Sequence, residues 1–252
     1  MKTKLNKIIS ETTLSFLLLM LISINIHAVN RDSTSGKFIH MIGIDLKPGY
    51  TFPTHEFFEG ANNAKQKINS TLSGHLKYGF KFTPETRLGK IYPHAKQGIG
   101  VGYNTFFNSS ELGDPINVYI FQTSRISNIT HNLSFDYEWN FGASFGWKKY
   151  DKLNNPLNMV VGSNANAYIN LSFLLNWQIS SNTNVRGGVG VTHYSNGNTS
   201  YPNSGVNTIG ASVGVTRFLG NNERSKYASR QAQNHLFNTY INYDLIVYGA
   251  TR

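Results

Sequence analysis

The sequence predicts an all-β chain, an antiparallel transmembrane β-barrel of eight strands. Three observations carry that prediction. Aromatic residues make up 13% of the 252 residues and charged residues only 14%, with 23 glycines, a balance that suits a wall between lipid and a polar interior. Two segments alternate for much longer than a soluble strand. Leu133 to Trp147 places Leu133, Phe135, Tyr137, Trp139, Phe141, Ala143, Phe145 and Trp147 on one face, against Ser134, Asp136, Glu138, Asn140, Gly142 and Ser144. Ala167 to Ile179 repeats the pattern, with Ile169, Leu171, Phe173, Leu175 and Trp177 opposed to polar neighbours such as Asn170, Ser172 and Asn176. These runs span roughly 50 Å and 40 Å at ~3.3 Å per residue, where a soluble strand is about 5–6 residues and a tilted membrane strand about 9–11. Finally, no long apolar run follows the N-terminal segment.

That N-terminal segment reads as an export signal. Lys2, Lys4 and Lys7 head an apolar run from Leu14 to Ile26, and Ile26-His27-Ala28 offers a cleavage site. The domain reading is therefore a signal peptide over residues 1–28 and a barrel over 29–252. A membrane anchor is the rival, but the run is short for a span.

Along the mature chain, Gly36 to Tyr50 is strand-like, with Phe38, Ile42, Ile44 and Leu46 on one face. Thr51 to Ser70 reads as a long loop. Leu72 to Phe82 sets Leu72, Leu76, Tyr78 and Phe80 against His75, Lys77 and Lys81. Thr83 to Gln97, with two prolines, is a connection. Ile99 to Phe106 and Ile116 to Thr123 form a hairpin around the turn-rich 108–115 stretch. Gly98-Ile99-Gly100-Val101-Gly102 has no helix behind it to make a nucleotide loop, so its glycines suit close packing on the inner wall. Thr183 to Ser195, Val206 to Arg217 and Leu236 to Val247 complete nine candidate segments. Bacterial barrels have even strand numbers, so eight is the reading, with one segment misassigned or outside the wall, or the chain given incomplete. Trp139, Trp147 and Trp177 are candidates for the membrane interfaces.

Charge narrows the partners. The formal +10 falls to +8 once the three lysines and Glu11 of the signal are removed. The basic residues are scattered and no recognition motif is present, so nucleic acid is not expected as a partner. The absence of cysteine rules out disulfides, thiolate zinc sites and lipid attachment through a thiol.

The chemistry concentrates in Thr192-His193-Tyr194-Ser195-Asn196-Gly197 and the following Tyr201-Pro202-Asn203-Ser204-Gly205. On a strand His193 and Ser195 stand on one face, roughly 6.5 Å apart at Cα, near enough for an imidazole to take a hydroxyl proton. That face continues Val185, Val189 and Val191, which in a barrel is the lipid face. Asn207 shares the apolar face of the next strand at the same end. A polar cluster outside the wall near one rim suits an enzyme acting on membrane lipid. A structural hydrogen bond of His193 and an ordinary Asn-Gly turn are the plainer readings.

His193-Tyr194-Ser195-Asn196-Gly197 followed by Pro202-Asn203-Ser204-Gly205-Val206 resembles the signature of the PagL-type lipid A deacylases and related acyloxyacyl-hydrolase-like proteins of Gram-negative bacteria. The resemblance is specific over about residues 185–217 and architectural elsewhere. It implies an eight-stranded outer-membrane barrel that removes an ester-linked acyl chain from lipid A, without metal or other cofactor and without an obligate protein partner. Carried over by position, it implies Ser195 as nucleophile, His193 as general base, and Asn203 and Asn196 as oxyanion-stabilising residues. The family's acid, a glutamate twelve residues after the serine, falls on Asn207. An asparagine can fix an imidazole tautomer, as in Cys-His-Asn proteases, but brings no negative charge. Asp244 or Glu138 would substitute only if they faced outward, and Arg217, Lys148 and Lys149 are candidates to meet lipid phosphates.

The expected function is thus a serine esterase of lipid A or a similar glycolipid. Its alternative is a non-enzymatic structural or adhesive barrel with a decayed site, which Asn207 favours. A small pore, a soluble lipocalin-like binder and a secreted β-sandwich complete the field.

Overall fold

Eight antiparallel strands close on themselves in sequence order. They are β1 (Phe38–Thr51), β2 (Ser70–Phe82), β3 (Lys96–Thr105), β4 (Gly113–Asn128), β5 (Leu133–Trp147), β6 (Ala165–Gln178), β7 (Thr183–Ser195) and β8 (Val206–Leu219). This is a computed structural model describing residues 36–219, so the signal segment and the candidate strand Leu236 to Val247 lie outside the described residues. Closure does not need that ninth segment: β8 pairs with β1 from His40↔Leu219 to Thr51↔Thr208.

Alternation decides which side each residue takes. Leu76, Ile99, Phe141, Val189 and Val213 are all more than half exposed on the outer wall. So wide an apolar exterior belongs in lipid. The chain is an outer-membrane β-barrel.

The inner wall is polar and packed. Glu138 accepts hydrogen bonds from Lys77, from Arg186 Nη1 at 2.8 Å and from Thr123 Oγ1 at 2.9 Å. Asp45 pairs with Lys77 at 2.6 Å and with Arg186. A second group joins Asp136 to Lys96 at 3.4 Å and Arg125 at 3.8 Å. Above them His75 bonds Tyr119 at 2.9 Å, and the rings of Tyr119, Tyr168 and Tyr194 follow one another upward, tilted, with centroids 5.1 and 5.5 Å apart. A cavity of about 20 Å³ beside Lys47, Asn170 and Thr208 has room for about one water. Among the described residues the lumen is filled, which leaves the pore reading without a channel. Gly100 and Gly102 of β3 make the room for this filling, since a Cβ on either would overlap the Tyr119 or His75 ring.

Two details depart from the sequence reading. β4 is 16 residues long, because register shifts between Gly113 and Ile116 and between Arg125 and Ser127 interrupt its alternation. Trp147 is not an outer-face interface residue. Gly146, at φ 91°, breaks the period of two, and the indole turns inward against Phe106 and Tyr194, donating to Ser144 Oγ at 2.9 Å. Trp177 does stay outside and more than half exposed.

The two ends differ. Connections 52–69, 106–112, 148–164 and 196–205 gather at one end, whereas the other has 83–95, with helix α1 (Arg87–Ile91), and the short turns 129–132 and 179–182. Outer-membrane barrels place longer loops outside the cell and short turns in the periplasm, which orients the chain. The outer loops bury Phe57, Phe58, Ile68, Leu112, Val160 and Val161 as a plug over the lumen. Glu111 ties them together: its carboxylate takes the Asn63 N–H at 2.8 Å, and its carbonyl accepts from Asn155 and Asn158 at 2.8 Å.

Aromatics mark two depths on the outer wall. Phe38 packs on Phe80 and Phe82 at 4.9 and 5.3 Å near the periplasmic end, and Tyr50 meets Phe52 edge-on at 5.6 Å near the outer end. From Phe38 to Tyr50 the strand rises roughly 40 Å, or about 30 Å at a tilt near 40°, enough to hold an apolar band of ~25 Å between girdles.

Candidate functional site

His193 of β7 lies directly opposite Asn207 of β8 in the strand register. Their side chains meet on the outer wall, His193 Nδ1 to Asn207 Oδ1 at 2.6 Å. With the amide oxygen as acceptor, Nδ1 carries the proton and Nε2 is left as the basic nitrogen. Phe52 donates its N–H to the Asn207 carbonyl at 2.9 Å, and Ile209, two residues further down, pairs with Tyr50. The pair therefore sits level with the outer aromatic girdle, at the boundary between acyl chains and headgroups.

Ser195 is the last residue of β7, on the same face as His193. Its Oγ accepts from the Asn203 amide nitrogen at 3.2 Å and from the Gly197 N–H at 3.1 Å. No hydrogen bond joins Ser195 to His193. The Asn203 amide is fixed in direction because its oxygen accepts the Asn196 N–H at 3.3 Å, which turns its nitrogen toward the serine. Asn196 behaves differently: its side chain folds into the loop, donating to the Ser200 carbonyl at 2.8 Å. Of the five residues that the resemblance singles out, four side chains converge in two pairs, and the Asn196 amide is spent on its own turn.

The site loop is braced by two other loops. Thr54 Oγ1 donates to the Gly205 carbonyl at 2.8 Å and Ser204 Oγ to the Met159 carbonyl at 3.2 Å. Gly162 lies under the loop so closely that a Cβ there would stand 2.5 Å from the Pro202 carbonyl oxygen. Gly205, at φ 71°, closes against the imidazole, a built Cβ falling 3.4 Å from His193 Cε1. The sequence reading quoted Gly197 and Gly205 without assigning them roles, and it missed Thr54 and Gly162, which lie far away in the chain and carry no local motif.

Other candidates fall away from the site. Glu138 points inward and is saturated by Lys77, Arg186 and Thr123, so it cannot serve as the acid. Asp244 lies outside the described residues. Arg217 pairs with Thr183 at the periplasmic end of β8, ten residues or roughly 33 Å of strand from Asn207, too far to meet a headgroup at the outer rim. Lys148 and Lys149 follow β5 at the outer end, the same end as the site. Among the described residues no group of three His, Cys, Asp or Glu side chains is placed to hold a metal.

Comparison with known proteins adds one sequence match. The family described as Lipid A 3-O-deacylase (PagL) matches residues 124–216, from late β4 to near the end of β8, a stretch that contains His193, Ser195, Asn196, Asn203 and Asn207. No curated protein matches the chain. Among solved structures, the outer membrane enzyme PagL is similar at 13% identity over 68% of this chain and 97% of that one, with a TM-score of 0.43. Neisserial surface protein A is similar at 8% identity over 71% and 96%, TM-score 0.46. Ail of Yersinia pestis is similar at 8% identity over 73% and 99%, TM-score 0.37. Likenesses at that level concern barrel architecture and say nothing of activity. The chain is similar to the PagL outer-membrane barrel family at a distance, most specifically through the half of the barrel that carries the polar cluster.

Proposed function

We propose that this barrel is a serine esterase of the outer membrane that removes an ester-linked acyl chain from lipid A or a glycolipid of that kind. The observation that carries the proposal is the hydrogen bond from His193 to Asn207 on the lipid face, one pleat below a serine already held by an amide donor. Ser195 Oγ would turn from its loop bonds to attack the ester carbonyl as His193 Nε2 takes its proton. The oxyanion would then fall to the Asn203 amide and the Gly197 N–H, the two donors that now hold Ser195 Oγ. Collapse returns the proton from His193 to the leaving alkoxide. Water, activated by the same imidazole, attacks the acyl-enzyme and releases the fatty acid. Ile169, Leu171, Val191 and Ile209, exposed beneath the site, would pack along the acyl chain.

The second reading is a non-enzymatic outer-membrane barrel, structural or adhesive, with a decayed site. Two observations favour it, and it asks less of the site. Asn207 puts no negative charge beside His193, and Ser195 Oγ is engaged by Asn203 and Gly197 rather than by the imidazole. The deciding experiment is mass spectrometry of lipid A incubated with detergent-refolded protein, beside Ser195→Ala. Loss of one acyl chain that disappears in Ser195→Ala upholds the esterase. An unaltered lipid A in the presence of well-folded protein overturns it in favour of the second reading.

A further inference from the structure

A second feature of the outer end is independent of the serine. Between the end of connection 52–69 and connection 106–112 lies a cleft of about 450 Å³, on the β2–β3 side of the barrel, away from the β7–β8 rim. That volume is within the range of about 300–1,000 Å³ typical of small-ligand sites. Its floor is the buried Ile68 and Phe106. Its wall carries Phe107, a residue 67% exposed and with its backbone held at φ 59°. A phenylalanine rarely takes that left-handed conformation, and an exposed aromatic ring held in it points to a functional constraint.

The polar lining has a distinct chemistry. Asn69 and Asn108 are occupied, by Ser70 and by Ser110 with Glu111 respectively. Among the described residues the Gln66 amide, the Lys67 ammonium and the Ser109 hydroxyl have no protein partner. The one nearby carboxylate, Glu111, is turned away to the Asn63 and Ala64 N–H groups and Asn108. The cleft therefore offers an apolar ring face, a neutral donor–acceptor amide, a hydroxyl and a single cation, with no carboxylate among its lining residues.

We propose that this cleft binds a saccharide. A sugar ring presents C–H groups on one face, which pack on an aromatic ring, and hydroxyls at its edge, which an amide and a hydroxyl can read. Lys67 takes a phosphate or carboxylate substituent on the sugar. The alternatives fit less well. An extended peptide needs a sheet edge, and the closed barrel has none. A nucleic acid needs a run of cations, and the cleft has one. The saccharide comes either as the sugar portion of a surface glycolipid or as a free oligosaccharide, and both share this chemistry.

The test is calorimetric titration of the refolded full chain with oligosaccharide released from lipopolysaccharide, in phosphorylated and dephosphorylated forms. The same binding is then read with the intact glycolipid in nanodiscs. Binding of the free oligosaccharide assigns the site to sugar alone. Binding of the intact glycolipid only, still sensitive to position 107, assigns it to sugar presented on lipid. Phe107→Ala and Phe107→Gly should each weaken binding about tenfold, and glycine relieves the backbone, so its effect cannot be ascribed to a strained loop. Lys67→Gln should weaken only the phosphorylated form, and Leu153→Ser, on another outer loop, should change nothing. Failure of folded protein to bind any of these probes, or binding indifferent to position 107, overturns the proposal.

Discussion

Asn207→Glu is the perturbation that most directly probes the polar cluster. Asn207 Oδ1 already lies 2.6 Å from His193 Nδ1, so a glutamate brings its charge to the imidazole without moving the strands. At about 4 Å between charges the attraction runs from about 1 kcal/mol in water to about 4 kcal/mol at a protein surface. His193 is exposed, so solvent screening leaves about 1 kcal/mol to stabilise the imidazolium that would form as Ser195 attacks. A carboxylate on the outer wall near an interface costs under about 1 kcal/mol of stability, a cost that is the same before and during attack and so drops out of the rate. The expected gain is about 1 kcal/mol, roughly fivefold in rate. The assay is single-turnover release of fatty acid from lipid A in mixed micelles, starting protein against Asn207→Glu, with folding checked by the heat-dependent shift of barrel mobility. A variant that folds yet cleaves no faster, from a starting protein that does cleave, would refute the view that Asn207 orients a working base.

Other consequences are open to measurement. Arg186→Ala leaves Asp45 and Glu138 short of a buried partner, so it should lower stability by about 3–5 kcal/mol, read as a shift in the urea midpoint. Gly162→Ala forces the 196–205 loop outward and should cost about 1–3 kcal/mol. It should also weaken Ser195-dependent cleavage more than Thr54→Ala does, since the latter removes a single bond to Gly205. His94, in the periplasmic connection, has its pKa pushed down to about 4 by burial and by Arg125 and Lys96 nearby. The unfolded chain then binds more protons than the folded one between about pH 4 and 6.5, so stability rises with pH across that window. His94→Gln should flatten the slope there in urea titrations.

How much of this was legible in the sequence depends on where the alternation is unbroken. β5 and β7 match the strands read from the sequence at both ends; the period of two runs unbroken through β7, and in β5 it fails only near the end, at Gly146. Trp147 was misplaced because one glycine with positive φ reverses the face of everything after it, and nothing in the residue itself announces that. The inward direction of Glu138 was legible from its position opposite Trp139 and Phe141. The distance of Arg217 was also present in the sequence, as ten residues of strand, but residues sharing a face need not share a depth. The bracing of Asn203 was not legible. Thr54 and Gly205 are 151 residues apart, and only closure of β8 against β1 brings them together.

That closure also bears on how a neutral orienter is to be understood. Among the described residues Asp45, Asp136 and Glu138 are spent on ion pairs with lumen partners, while the outer wall beside His193 is left uncharged. An asparagine there accepts the Nδ1 bond without the desolvation a carboxylate meets at the acyl boundary, and it loses the charge that would favour an imidazolium. The same substitution therefore lowers the ground-state cost and the catalytic drive together. A working enzyme with this arrangement depends more heavily on the placement of its oxyanion donors than one with an acid. Its rate should accordingly be more sensitive to Gly162→Ala, which displaces Asn203, than to Asn207→Ala, which removes only a neutral hydrogen bond. The reverse order, Asn207→Ala abolishing cleavage while Gly162→Ala spares it, would mean that tautomer control dominates and that the loops merely roof the barrel.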